Sequence, residues 1–139
     1  MSNRRYGRYM DEQYKSLLEN LDHVGTLLSE ANLASYELHQ ISFNYLSYDF
    51  KTNFHAVIYE NELALKLRFS TVIFDEQTAF FEIVLDRYGC LTPLEIKGVD
   101  HTYLHSLGSY NLSTYFHKLL SSFLEQSDFY HLNLEVSNV

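Results

Sequence analysis

The sequence predicts an α+β fold in which a four-stranded antiparallel sheet carries helices on one side. Apolar residues repeat every three or four positions near both ends of the chain, which is the period of an amphipathic helix. Between these segments apolar and polar residues alternate, which is the period of a half-buried strand. The connections between the alternating segments are short, and short connections favour an antiparallel meander or a Greek key.

The composition predicts one folded domain. The chain has 139 residues, of which 46% are hydrophobic and 20% charged, so it can form a core without disulfide or metal. We expect two parts within this domain, a basic tail with a helix at 1–34 and the sheet-plus-helix part at 35–139. Twelve Tyr and ten Phe provide more ring surface than a core of this size usually needs.

The net charge restricts the partners. Ten basic and eighteen acidic residues leave a charge of −8, which disfavours binding of nucleic acid. Arg4, Arg5 and Arg8 are interpreted as a solubilising terminus. The sequence contains no apolar signal region and no membrane-spanning run, and its single cysteine, Cys90, fits a reducing compartment. We therefore expect a cytoplasmic protein.

A helix is predicted from about Met10 to Ala31, with Gly25 weakening its last part. Its apolar stripe consists of Tyr14, Leu17, Leu18, Leu21, Val24 and Leu28. A second helix is predicted at 109–126. Its broader stripe consists of Leu112, Tyr115, Phe116, Leu119, Leu120, Phe123 and Leu124.

Four strands are predicted between the helices, at 36–48, 50–60, 63–70 and 79–85. Glu60-Asn61 and the segment 74–77 are predicted turns, and Leu63 to Phe69 shows the clearest alternation. The fourth strand is apolar on both faces, so we expect one face to contact the second helix. The other face would meet a groove, a covering segment or a second subunit. Residues 87–100 are predicted to form a crossover loop, and the tail HLNLEVSNV a short extended segment.

No catalytic motif stands out, so we expect neither an enzyme nor a cofactor. The sequence has no nucleophile elbow, phosphate-binding glycine loop or dinucleotide fingerprint. Cys90 is interpreted as a small buried apolar group. Asp100, His101 and His105, with His117 further on, are the best metal candidates, but no Cys or Glu pair completes a site. We expect no bound metal.

Several short motifs resemble the bacterial export chaperone SecB and its relatives. They occur in the family's order and at similar gaps: Ile41-Ser42-Phe43, Glu76-Gln77-Thr78-Ala79-Phe80, Leu107-Gly108-Ser109-Tyr110 and Leu132-Asn133-Leu134. The resemblance covers roughly residues 36–139. It implies a four-stranded SecB-like sheet with the helix at 109–126 on one face, assembled as a dimer or tetramer.

The resemblance also implies an activity, the ATP-independent holding of unfolded polypeptide in apolar grooves. The client would be general or a dedicated one, such as the antitoxin of a toxin–antitoxin–chaperone system. The alternative from another class is a non-chaperone interaction or inhibitor protein that uses the same fold to bind one folded partner. The expected polypeptide-binding residues are Phe43, Tyr45, Tyr48, Phe50, Phe54, Tyr59, Tyr88, Leu94, Ile96 and Tyr103.

Three features depart from the family pattern. Its acidic positions for docking on the motor SecA fall here on Gln40, Asn44 and Ile83, so SecA is not an expected partner. The prolines after Leu-Gly-x-Tyr are replaced by Asn111 and Leu112. No second C-terminal helix is predicted, and we expect the N-terminal helix to cover the sheet or groove in its place.

Overall fold

The computed structural model describes residues 2–72 and 78–126, with side chains from Tyr9 onward within those ranges. The α+β class is confirmed, but the prediction of a four-stranded sheet is wrong. The described residues contain one curled, seven-stranded antiparallel sheet, a half-barrel in which each strand pairs with the next along the chain. The strands are β1 (Ser35–Glu37), β2 (Gln40–Tyr45), β3 (Tyr48–Tyr59), β4 (Glu62–Val72), β5 (Thr78–Leu85), β6 (Cys90–Leu94) and β7 (Thr102–Tyr103).

In the described ranges, two helices pack against the inner face of this sheet. α1 (Ser2–Glu30) is longer than predicted, whereas α2 (Ser109–Gln126) has the predicted bounds. A short 3-10 helix, Leu104–Ser106, connects β7 to α2. Each helix buries one stripe in the core shared with the sheet, as amphipathic helices do. The stripes are Leu17, Leu21, Val24 and Leu28 on α1, and Leu112, Phe116, Leu119, Leu120 and Leu124 on α2.

The first predicted strand is two strands. β1 and β2 are joined at Leu38-His39, where both residues have positive φ, 50° and 64°. Two consecutive positive φ values are typical of the tight type I′ hairpin turn, which usually contains Asn or Gly. Glu60-Asn61, which was predicted as a turn, has the same geometry and joins β3 to β4.

The predicted crossover loop at 87–100 is also wrong in its first half, because β6 lies there. β6 pairs with β5 from Leu85↔Leu91 to Glu82↔Leu94, and β7 covers only Cys90 and Leu91 of its far side. Pro93 therefore lies where β6 is an edge among the described strands, and a proline is tolerated there because its missing N–H can face away from the ladder.

The two apolar faces of β5 have different surroundings. Phe81, Ile83 and Leu85 point into the core, where Phe81 stacks on Phe69 at 5.1 Å between ring centroids. On the outer face Val84 is only 1% exposed and lies in register between Lys66 of β4 and Thr92 of β6. Neighbouring side chains thus cover the middle of the outer face. The predicted turn at 74–77 and the tail at 131–139 lie outside the described residues.

Candidate functional site

Two of the predicted polypeptide-binding residues belong to the core. Phe43 is 5% exposed and Phe50 is 0% exposed, and their rings stack with centroids 5.2 Å apart. Three more rings, those of Tyr45, Tyr48 and Phe54, are half-buried against the same core. Much of the aromatic surface on the first two predicted strands therefore stabilises the fold, and a ligand could reach Phe43 or Phe50 only if the core opened.

Leu94 and Ile96 do come together, in a cleft of about 210 Å³ formed by β5, the end of β6 and the last turns of α2. We call it the β5–β6 cleft. Its apolar lining also includes Phe80, which is 45% exposed, and the half-buried Phe123. Glu82, Glu95 and Gln126 form its polar rim. Phe80 and Phe123 were not predicted as binding residues, although Phe80 lies on the outer apolar face of the fourth predicted strand.

Polar contacts fix both walls of the β5–β6 cleft. The Arg68 guanidinium lies 4.1 Å from the centroid of the Phe80 ring and donates two hydrogen bonds of 3.2 Å to Glu82. On the other wall, the Gln126 side chain accepts from the Lys97 N–H at 2.9 Å and donates to the Lys97 carbonyl at 2.7 Å. A cleft held on both sides needs little ordering when a ligand binds.

Tyr88 lies at the opposite end of the β5–β6 hairpin, against α1. Arg87 stacks on its ring at 4.7 Å, and the two residues line a second depression with Tyr9, Glu12, Gln13 and Ser16 of α1. Asn20 donates to the carbonyls of Asp86 and Arg87 at 3.0 and 3.2 Å, which ties the turn to α1. Tyr88, 53% exposed, is thus accessible but separate from the β5–β6 cleft.

Tyr103 belongs to a third location, beside Cys90. Its ring lies 5.8 Å from those of His101 and His105, and its pKa is raised, mainly because of the neighbouring Cys90.

His117, the most distant of the metal candidates, instead contacts Tyr45, at 5.7 Å between ring centroids. Within the described ranges, no three His, Cys, Asp or Glu residues are grouped so that they could hold a metal ion.

Tyr59 is the one predicted polypeptide-binding residue not yet located, and it is half-buried at the end of β3. Next to it Ile58 is 66% exposed, although it lies on the face of the sheet that is buried elsewhere along β3. The alternation of the sequence places Ile58 on an apolar face, so periodicity does not predict that it is exposed. The only available signal was the uncharged run Phe54 to Tyr59, which is unusually apolar for an exposed strand.

No helix in the described part of the chain is long and apolar enough to cross a membrane. The chain matches no protein-family model, and comparisons with curated proteins and with solved structures find no significant match.

Proposed function

We propose that this protein is an ATP-independent holdase that binds unfolded or partly disordered polypeptide. The observation that carries the proposal is the β5–β6 cleft, whose apolar lining is accessible and whose walls are fixed. Its volume of about 210 Å³ is below the roughly 300–1,000 Å³ of small-molecule pockets. It therefore suits the side chains of a polypeptide better than an intact small ligand.

The surface chemistry supports the same function. Exposed apolar side chains away from the cleft include Tyr9, Leu38, Ile58, Tyr88 and Tyr110. Burying apolar surface contributes about 25 cal/mol per Å², so several small patches bind a flexible client weakly and together. A net charge of −8 keeps such a surface soluble and favours basic clients.

The SecB-like motifs also support the proposal where they fall on described residues. Thr78-Ala79-Phe80 begins β5, and Leu107-Gly108 immediately precedes α2. The seven-stranded sheet departs from the four strands that the resemblance implied, so the support comes from these motifs and from the cleft. A dedicated client such as an antitoxin remains part of the proposal, and so does assembly as a homo-oligomer.

A second candidate is an interaction protein that binds one folded partner. The burial of Phe43 and Phe50 favours it, because this burial removes two rings from the predicted groove and leaves smaller, separate patches. Such patches suit recognition of a short segment of one partner as well as the holding of long unfolded chains.

Aggregation assays test the proposal and separate the two candidates. Several unrelated unfolded proteins are diluted from denaturant with and without the full chain, and light scattering is recorded. We expect suppression for all of them, reduced several-fold by Phe80→Ala combined with Ile96→Gln. The comparison variant is Tyr110→Ala, which removes one ring that is 78% exposed and outside the cleft, and which should therefore reduce suppression only slightly.

Absence of suppression for every client would refute the holdase, and co-purification of one native protein would then favour the second candidate. Equal suppression by the cleft variant and by Tyr110→Ala would show that the β5–β6 cleft is not the binding surface. Circular dichroism and thermal unfolding of both variants verify that each is folded.

A further inference from the structure

The edge of β3 from Asn53 to Tyr59 has no neighbouring strand among residues 2–72 and 78–126. β2 pairs with β3 only from Tyr45↔Tyr48 to Ser42↔Lys51, whereas β4 continues alongside β3 to Tyr59↔Glu62. Asn53 to Tyr59 is seven residues long and spans about 23 Å at roughly 3.3 Å per residue. We call this stretch the open edge.

The β2 ladder ends at Thr52, where a side chain replaces the backbone. The buried Thr52 hydroxyl accepts from the Ile41 N–H at 2.7 Å and donates to the Ile41 carbonyl at 2.6 Å. It satisfies both backbone groups of Ile41 that would otherwise pair with β3. The end of the ladder is therefore specified by the sequence, and it leaves the rest of β3 accessible on that side.

The orientation of the backbone along the open edge follows from the hairpin. Tyr59 and Glu62 close a two-residue turn and form a hydrogen-bonded pair, and such pairs alternate along an antiparallel ladder. Tyr59, Val57, His55 and Asn53 thus bond to β4. The N–H and C=O groups of Phe54, Ala56 and Ile58 point to the open side.

The open edge lacks the sequence features that keep most edge strands from pairing with another chain. It contains no Lys, Asp, Glu or Pro and no bulge in its register with β4. Ile58 is 66% exposed, Ala56 is exposed, and Phe54 is half-buried beside the His39 ring at 6.2 Å. Free backbone groups and exposed apolar side chains together are what a strand-addition site offers to a peptide.

We propose that the open edge binds an extended peptide segment by strand addition, as an eighth strand next to β3. The segment would carry apolar side chains at alternate positions, where they meet Ala56 and Ile58, and no acidic residues. This site is separate from the β5–β6 cleft and does not depend on the holdase proposal.

A single extended segment fits the open edge better than a second copy of the chain. A stable protein–protein interface buries at least about 1,200 Å² in total, and pairing restricted to seven residues falls short of that. The net charge of −8 in addition attracts a peptide with basic ends.

The test uses the isotope-labelled full chain and a blocked seven-residue peptide with Lys at both ends and alternating Val and Thr between them. We expect the amides of Phe54, Ala56 and Ile58 to shift on titration and to gain protection from hydrogen exchange. The same peptide N-methylated on the residues that pair with β3 should bind at least tenfold more weakly.

Ala56→Pro is the decisive variant, because the lost N–H points to the open side and the β4 ladder keeps its hydrogen bonds. Its matched control, Ala56→Thr, retains the N–H. We expect Ala56→Pro to weaken peptide binding at least tenfold with the fold intact, and Ala56→Thr to change it by less than about threefold. Should Ala56→Pro fail to fold, the N-methylated peptide gives the same comparison on the unmodified chain.

Four results would overturn the proposal. The first is that a folded Ala56→Pro variant binds the peptide as tightly as the unmodified chain, and the second is that the peptide shifts only amides of the β5–β6 cleft. The third is that the amides of Phe54, Ala56 and Ile58 are already fully protected in the free chain. The fourth is that the unmodified chain and Ala56→Thr are dimers whereas Ala56→Pro is a monomer, since the open edge would then bind a second copy. The holdase assay is independent of all four, because Ala56→Pro should still suppress aggregation and the Phe80→Ala/Ile96→Gln variant should still bind the peptide.

Discussion

Gly25 permits a close contact between α1 and β1 that no other residue allows. A Cβ atom added at Gly25 would lie 2.1 Å from Cδ1 of the Tyr36 ring, and Tyr36 is also held by its hydrogen bond to Asp22. Glycine in a helix interior costs up to about 1 kcal/mol in propensity, and this contact explains why the helix retains it. The sequence showed only the cost, because Tyr36 is distant along the chain.

Gly25→Ala should therefore destabilise the protein in spite of its better helix propensity. Overpacking a tight contact costs roughly 1–3 kcal/mol, and we expect a net loss of that order in the free energy of unfolding, measured by urea titration. Thr26→Ala, one residue on and exposed, is the matched control and should be neutral or slightly stabilising. An unchanged midpoint for Gly25→Ala would show that Tyr36 can move aside at no cost.

The buried hydroxyl of Tyr115 should make the folded protein less stable at alkaline pH. Burial raises its pKa above the ordinary value of about 10, with Cys90 and Asp100 adding to the effect, and its hydroxyl donates to the Asp100 carbonyl at 2.7 Å. In the unfolded chain Tyr115 ionises near about pH 10, whereas in the folded chain it keeps its proton. The stabilisation is therefore complete below that pH and is lost as the pH rises above it.

We expect the unfolding midpoint in urea to fall between about pH 9 and about pH 11, and to fall less steeply in Tyr115→Phe. Tyr36, whose pKa is raised mainly by burial and then by its hydrogen bond to Asp22, contributes a similar slope that this variant retains. Equal slopes for Tyr115→Phe and the unmodified chain would contradict the assignment.

At the scale of elements, the predictions held where local chemistry signals the structure. β4 alternates regularly because Leu63, Leu65 and Leu67 all face the core, and the Asn in Glu60-Asn61 marks its turn. The turn at Leu38-His39 has the same backbone geometry without Asn or Gly, so nothing in the sequence marks it. β6 was missed for the opposite reason, because Gly89 and Pro93 are residues typical of loops.

The candidate site was predictable only in part, because burial depends on what packs above a strand. Alternation correctly places Phe43 and Phe50 on an apolar face, but only the structure shows that α2 closes over that face, where Phe123 meets the Phe50 ring at 6.3 Å. The accessible residues lie where this cover ends, at Leu94 and Ile96. The end of the β2 ladder at Thr52 depends on a single hydroxyl, which periodicity does not reveal.

α1 is a part of the core, and its truncation should unfold the protein. Leu17, Leu21, Val24 and Leu28 are all 0% exposed. Leu21→Ala should lower the free energy of unfolding by about 2–5 kcal/mol, because the cavity adds to the lost transfer energy. Lys15→Ala, on the exposed side of the same helix, should change it by less than about 0.5 kcal/mol. A small effect of Leu21→Ala in the same urea titration would show that α1 contributes little to the core.

For the whole molecule, the holdase proposal implies that negative charge and scattered apolar patches act together in selecting clients. The charge of −8 is spread over a chain of 139 residues, while the β5–β6 cleft and the exposed Tyr88 lie at opposite ends of the β5–β6 hairpin. Long-range attraction should govern how fast a basic client arrives, and local apolar contact should govern how long it stays.

If charge governs the association rate and apolar contact the dissociation rate, the effect of salt on the association rate should differ between clients. The Debye length falls from about 30 Å at 0.01 M to about 8 Å at 0.15 M ionic strength, so attraction between separated charges is lost over this range. We expect the association rate of a basic unfolded client, measured by stopped-flow fluorescence, to fall several-fold, while its dissociation rate changes by less than about twofold. An unfolded client of near-zero net charge should show neither change. A salt-sensitive dissociation rate for the basic client would instead mean that ion pairs, and not the apolar patches, hold the bound client.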